Sequence, residues 1–156
     1  MAYQYNMRYF MLTHEGNNPF PRIVNWSKVL DSRKLSRQKY QELPSFIALD
    51  MEFSADGILP DIIVDPFLLL SKEAMEVVNL YDSTIPFRII VLFDLERKTS
   101  CIYYCPILLE KTCCSGEEIP LFQVKIRDKK KTVIRLDLAE SLLERGATGL
   151  DLKLWE

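Results

Sequence analysis

The run VIRLDLAESLLERGATGLDLKL, residues 133–154, predicts three successive elements and so limits the possible folds more strongly than the rest of the chain. Two apolar runs with β propensity flank a segment of helical spacing. Asp137 and Glu140 are spaced as a capping box, in which each carboxylate accepts a hydrogen bond from the other residue's backbone N–H. Gly146 supplies the left-handed residue that ends a helix without a Cβ penalty. The run predicts strand, capped helix, glycine stop and strand.

A second helix is predicted within the segment ILPDIIVDPFLLLSKEAMEVVNLYD, residues 58–82. Ser71 is a good N-cap residue, and Glu73 lies in the first turn, where the helix dipole favours a negative charge. The apolar residues that follow repeat at helical spacing. These are Ala74, Met75, Val77, Val78 and Tyr81. We expect a helix from about Lys72 to Tyr81.

Most of the remaining chain has β propensity. Residues 87–93, 100–108, 119–126 and 132–136 are four β-rich runs separated by short polar connectors, a pattern typical of successive hairpins. Further strands are predicted at 5–13 and 45–53. A chain of 156 residues that is 48% hydrophobic can bury a substantial core. The sequence predicts one domain, 1–156, of the α+β class, with a mostly antiparallel sheet of about five to seven strands and at least two short helices.

The formal charge of −2 is too close to neutral to indicate nucleic-acid binding through an overall field. Locally the charge is uneven, because residues 22–39 carry six basic side chains and one acidic one, Asp31. A solvated loop or short helix is the favoured interpretation of this segment, and contact with an acidic partner is the alternative. Residues 127–131, RDKKK, are interpreted as a solvated hairpin tip rather than a nucleic-acid site.

The sequence contains no local signature of catalysis. His14 is the one histidine, and no nucleophile elbow is present. Cys101 and Cys105, four apart on a predicted strand, are expected to be buried apolar residues. Cys113 and Cys114 lie in a predicted loop where they could be oxidised, and their spacing does not fit a structural zinc site. The five glycines form no phosphate-binding loop. We therefore predict no catalytic residue, cofactor or metal.

Carboxylates are frequent in residues 50–65, and converging oxygens could serve a hydrolase or a divalent cation. The segment contains Asp50, Glu52, Asp56, Asp61 and Asp65. Their spacing matches no known loop motif, so a solvated loop is favoured, and an acidic loop that meets a basic partner is a second interpretation. The start of the chain has no signal-peptide pattern, and no apolar run reaches the length of a spanning helix. We expect a cytoplasmic protein that does not bind membranes.

The C-terminal run also resembles the closing signature of an immunity-protein family of bacterial polymorphic-toxin systems, immunity protein family eleven, formerly a domain of unknown function. The matching positions are Glu140, Ser141, Arg145, Thr148 and Gly149. Residues 59–78, the Tyr103-Tyr104 strand and residues 119–125 are similar to the same family. The resemblance covers 59–154, so 57–156 is a family-like core and 1–56 a variable N-terminal part. Glu144 stands where the family has a second arginine.

This resemblance implies a protein that binds and neutralises a cognate toxin domain by stoichiometric occlusion, without catalysis. The candidate partner contacts are Asp61, Asp65 and Arg145, although the favoured role of Arg145 is structural, binding carbonyls or a carboxylate at the helix end. A scaffold role is assigned to Ser71, Asp137, Glu140, Ser141, Gly146 and Gly149. Two alternatives stay open. One is a small enzyme that uses the carboxylates of 50–65, and the other is a phage-related or structural interaction module without a toxin partner. The oligomeric state is not indicated.

Overall fold

In the computed structural model, which describes residues 8–14, 21–53, 59–112 and 118–155, the described chain forms ten strands and two α-helices. The helices are α1 (Lys72–Tyr81) and α2 (Leu136–Glu144). The strands are β1 (Tyr9–His14), β2 (Arg22–Val24), β3 (Phe46–Glu52), β4 (Ile62–Ile63), β5 (Leu69–Leu70), β6 (Phe87–Asp94), β7 (Thr99–Pro106), β8 (Leu121–Ile126), β9 (Lys129–Arg135) and β10 (Leu150–Leu154). The predicted α+β class is confirmed.

The strands form two sheets instead of one. The first has four strands in the order β10-β1-β9-β8, and the second has six in the order β2-β3-β6-β7-β5-β4. Among these strands, β3 and β6 pair in parallel and the other pairs are antiparallel, as the hairpin pattern predicts. The six-stranded sheet comes from one continuous part of the chain, 22–106, which lies between β1 and β8. The predicted division at residues 56–57 falls between β3 and β4 of this sheet.

The predicted 127–131 connector is shorter in the structure. Arg127 and Asp128 alone form the tip of the β8–β9 hairpin, and both have positive φ angles, 50° and 65°. Two left-handed residues match the twist of a two-residue hairpin turn, so the pairing can continue to the tip. Lys129, Lys130 and Lys131 therefore belong to β9, where each is exposed.

One side of the six-stranded sheet is covered by the basic segment that precedes β3. Leu30 and Leu35 are buried there against sheet residues such as Leu49 and Ile90. Three short 3₁₀ helices, Trp26–Lys28, Ser32–Lys34 and Tyr40–Glu42, carry the segment across the sheet. The prediction of a solvated loop or short helix is therefore incomplete, because the segment also supplies part of the core.

The two helices pack together in the main core, which joins both sheets. Val77 and Val78 of α1 and Leu138 and Leu142 of α2 are buried in this cluster with Leu12 of the four-stranded sheet. Residues Ile62 and Leu70, from the short strands β4 and β5, belong to the same cluster. The helices thus cover one side of the four-stranded sheet and the β4–β5 end of the other. In the part of the chain that the structure describes, no helix is long and apolar enough to cross a membrane.

The α1 helix has the bounds that the sequence predicts, Lys72–Tyr81. The Ser71 Oγ accepts a hydrogen bond from the Ala74 N–H at 3.2 Å, so it satisfies one of the donors that have no partner within the helix.

The predicted capping box of α2 is wrong. The helix begins at Leu136, directly after β9, and Asp137 is its second residue rather than its cap. The Asp137 carboxylate accepts from the Leu138 N–H at 2.9 Å and from the Arg135 guanidinium at 2.7 and 2.9 Å. A charged donor two residues away holds a carboxylate more strongly than the neutral N–H of Glu140 would. Glu140 is exposed and does not close a box.

The glycine stop of α2 is confirmed. Gly146 has φ 78°, its N–H donates to Leu143 O, and the Ala147 N–H donates to Leu142 O, each at 3.0 Å. This is the pair of bonds that defines a Schellman C-terminus. The chain can then turn directly into β10.

Candidate functional site

Asp61, a predicted partner contact, lies where two segments that carry the family resemblance meet, residues 59–78 and 133–154. Its carboxylate accepts from Ser71 Oγ at 2.9 Å, from the Thr148 N–H at 3.0 Å and from Thr148 Oγ1 at 3.2 Å. The Asp61 carbonyl accepts from the Ser71 N–H at 2.7 Å, and the Ile62 N–H donates to Thr148 O at 3.0 Å. Asp61 therefore ties the start of α1 to the turn after α2. Its oxygens already have internal donors, so it is poorly placed to bind a partner.

Gly149 extends the same junction. Its φ is +93°, and a Cβ built on it would lie 2.3 Å from Ile62 O and 2.6 Å from Pro60 Cβ. The Pro60 carbonyl in turn accepts from the buried Tyr103 hydroxyl at 2.5 Å. Burial raises the pKa of Tyr103, so this hydroxyl stays protonated and continues to donate. There is no room for a side chain at position 149. Packing and backbone conformation therefore both require glycine there.

Ser141 connects the two helices. Its Oγ is hydrogen-bonded to the Tyr81 hydroxyl of α1, and that hydroxyl also contacts the Asp137 carbonyl at 3.1 Å. Arg145 is exposed at the end of α2, and its Nη1 donates to the Ser141 carbonyl at 3.3 Å. Of the residues that carry the resemblance, Glu140 is exposed on α2 and Arg145 is exposed at its C-cap, and most of the others make internal contacts.

The carboxylates of 50–65 do not converge among the described residues; Asp56 lies outside them. Glu52 pairs with Arg22 across β2 and β3 at 2.7 Å, and Asp50 lies with it at a cavity of about 390 Å³. Asp61 is in the α1–α2 junction, and Asp65 lines a different cavity. The described side chains also contain no group of three or more histidine, cysteine, aspartate or glutamate residues able to hold a metal ion. This distribution does not support an enzyme site in 50–65.

The histidine and cysteines are also dispersed. His14 ends β1 and is exposed, Cys101 is half-buried on β7, and Cys105 is buried there as predicted. Burial raises the pKa of Cys105 to about 12, which leaves its thiol unreactive at neutral pH. The predictions for Cys113 and Cys114 fall outside the described residues.

An open apolar face on the six-stranded sheet is a feature that sequence reasoning missed. The register places Phe46, Ile89 and Tyr104 in one row across β3, β6 and β7, and Ala48, Val91 and Ile102 in the next. Phe93 follows in a third row between Asp50 and Ser100. We call these seven apolar residues the open face.

The open face is incompletely covered by the described chain. Phe46 is 65% exposed, Ile102 56% and Phe93 40%, although all three lie on central strands. The main core covers the same side of the sheet only at its β4–β5 end and at Phe87. The alternation in residues 45–53 indicated a strand without a clean polar face, and this is the sequence signal that could have identified the surface.

A basic cleft is the second surface, and it lies on the opposite side of the six-stranded sheet. This cavity of about 480 Å³ is lined by five basic residues, Arg33, Lys125, Lys129, Lys130 and Lys131, and by two acidic ones, Asp65 and Asp128. The two basic segments of the sequence, 22–39 and 127–131, meet here. Their separation in the sequence hides this proximity, which depends on how the two sheets are arranged.

Comparisons of the chain with protein-family models and with curated protein sequences found no match. The open face and the basic cleft are therefore the structural features that bear on function.

Proposed function

We propose that this chain is an immunity-type protein that binds a cognate bacterial toxin domain and neutralises it by stoichiometric occlusion. The resemblance of residues 59–154 to the immunity family supplies the class of partner. The observation that carries a binding function is the open face, since apolar residues on three adjacent strands are costly to leave in water without a partner.

The open face has the composition of a protein interface. Its centre is aromatic and aliphatic, and Asp50 and Ser100 border it at one end. Binding energy in such interfaces is concentrated in a few apolar or aromatic anchors that are enclosed by a polar rim. Phe46 and Ile102 are the best anchors, because they are the most exposed of the large side chains on this face and burying them releases the most water.

The first test is protection in cells. A neighbouring gene for a large secreted protein with a variable C-terminal domain would identify the candidate toxin, and that domain is expressed with and without this chain. We expect growth arrest only when this chain is absent. Equal arrest in both cultures would contradict the proposal for that pair.

The second test locates the interface. Phe46→Glu and Ile102→Glu should each weaken toxin binding about thirtyfold, the effect of losing an anchor worth about 2 kcal/mol. Val29→Glu is the matched control, because Val29 is 63% exposed and lies in the segment that covers the other side of the sheet. Isothermal titration gives the affinities, and thermal melts check that all variants stay folded. Equal affinities for the three variants would exclude the open face as the toxin-binding surface.

The interaction module without a toxin partner remains the alternative. It shares the open face and predicts binding to another protein, so retained binding to a non-toxic partner, together with no protection in cells, would favour it.

A further inference from the structure

The basic cleft contains cations that the fold itself does not neutralise. Among the described residues, Arg33 pairs with Asp31 at 3.0 Å and Lys130 with Glu110 at 3.9 Å. No ion pair among the described side chains involves Lys125, Lys129 or Lys131. All three lysines are exposed on the β8–β9 hairpin, where the register places Lys125 on one face and Lys129 and Lys131 on the other, and all three line the cavity. Asp65 and Asp128 line the same cavity, but neither forms an ion pair with these lysines, so the three charges are not neutralised by direct contact.

The floor of the cleft is apolar. Trp26 and Phe67 pack edge to face there, with ring centroids 5.6 Å apart. Leu35 and Leu68 also line the cavity and are buried, whereas Trp26 is only half-buried. The cavity volume is within the range of sites that accept an organic group. An apolar side chain could thus enter between the lysines and the floor.

From this combination we propose that the basic cleft binds an acidic protein segment, with carboxylates on the lysines and an apolar side chain on the Trp26–Phe67 floor. Carboxylates spaced along a peptide suit a cavity that also contains Asp65 and Asp128, because they can be placed away from these acids. The continuous charge of a nucleic-acid backbone would meet both acids, and Trp26 is the one partly exposed aromatic lining residue for base stacking. This site is separate from the open face and does not require the partner to be a toxin.

The test uses the full chain and a short fluorescein-labelled peptide in which glutamates flank a central leucine. Fluorescence anisotropy at low ionic strength measures the binding. The triple variant Lys125→Gln, Lys129→Gln, Lys131→Gln should bind about tenfold more weakly, the effect expected for three exposed ion pairs. The control variant Lys28→Gln, Lys72→Gln, Lys153→Gln has the same change of charge at exposed positions outside the cleft and should bind nearly as well as the parent chain.

Two further probes complete the test. A peptide with glutamine in place of the central leucine should bind more weakly to the parent chain, since it removes the contact with the floor. A labelled single-stranded oligonucleotide should bind less tightly than the acidic peptide. Equal losses in the two triple variants, no peptide binding to the parent chain, or tighter binding of the oligonucleotide would each overturn the proposal.

Discussion

At the scale of single residues, the signature positions act mainly through backbone geometry. Gly149 combines a left-handed conformation with close contact to Pro60 and to Ile62 of β4. Gly146 needs only the conformation, since no heavy atom lies within 4 Å of its added Cβ. The two glycines therefore separate the cost of a positive φ from the cost of a steric clash.

We expect Gly149→Ala to lower the free energy of unfolding by about 3 kcal/mol, from left-handed strain and from overlap with Ile62 O. Gly146→Ala should cost about 1 kcal/mol, because only the strain applies. Chemical denaturation of both variants measures the difference. Equal costs would show that the Pro60–Ile62 backbone moves aside without penalty.

The residue scale also shows where local sequence rules fail. Ser71 and Gly146 were predicted correctly because their partners are within five residues. Asp137 was not, since β1 pairs with β9 up to Arg135 and so sets the start of α2 earlier. The pairing of Arg135 with Tyr9, which is distant in the sequence, therefore determines that the Asp137 carboxylate binds Arg135 and not the Glu140 N–H.

At the scale of elements, α1 and α2 are held together by apolar packing and by the Tyr81–Ser141 contact. Both side chains are only partly buried, so each hydroxyl can lose its partner without leaving an enclosed polar atom. The contact should therefore make a modest but measurable contribution to the free energy of unfolding.

Tyr81→Phe and Ser141→Ala should each lower the free energy of unfolding by about 1 kcal/mol, the usual value of one hydrogen bond. The double variant should lose less than the sum, because both substitutions remove the same contact. A double-mutant cycle by urea denaturation measures the coupling. Full additivity would mean that the hydroxyls do not interact in solution.

Strand prediction succeeded where a run was long and its partner was adjacent in sequence, as for β6 and β7. It missed β2, β4 and β5, which have three, two and two residues and therefore no readable periodicity. The parallel pairing of β3 with β6 could not be predicted either, because the hairpin pattern describes only strands that are neighbours in the sequence. The open face depends on that pairing, so the sequence could not predict it.

At the scale of the whole molecule, the basic cleft and the open face lie on different sides of the six-stranded sheet. Asp94, at the end of β6, contributes to the electrostatics of the fold. It is buried and accepts from Arg97 Nη1 at 2.8 Å, while the same nitrogen donates to Phe53 O at 2.6 Å. Hydrogen bonds from Arg97 hold the pKa of Asp94 below its ordinary value.

This lowered pKa predicts an acid dependence of stability. The unfolded chain takes up a proton near pH 4 and the folded chain only at lower pH, so stability is full above that range and falls as the pH decreases through the folded pKa. Asp94→Asn should remove the part of this acid dependence that comes from Asp94. Denaturation midpoints measured between about pH 2 and 6 test it, with Asp151→Asn, at an exposed position of β10, as the control. An unchanged acid slope in Asp94→Asn would contradict the assignment.

The position of β1 has a consequence for synthesis on the ribosome. β1 pairs with β9 on one side and β10 on the other, and both partners follow the six-stranded sheet in the sequence. All six strands of the other sheet have been translated by residue 106. That sheet can assemble while the nascent chain is still growing, whereas β1 waits with both edges unpaired. Chaperone contacts during translation are therefore expected to concentrate on β1, which is made before the six-stranded sheet and pairs only with strands made after it.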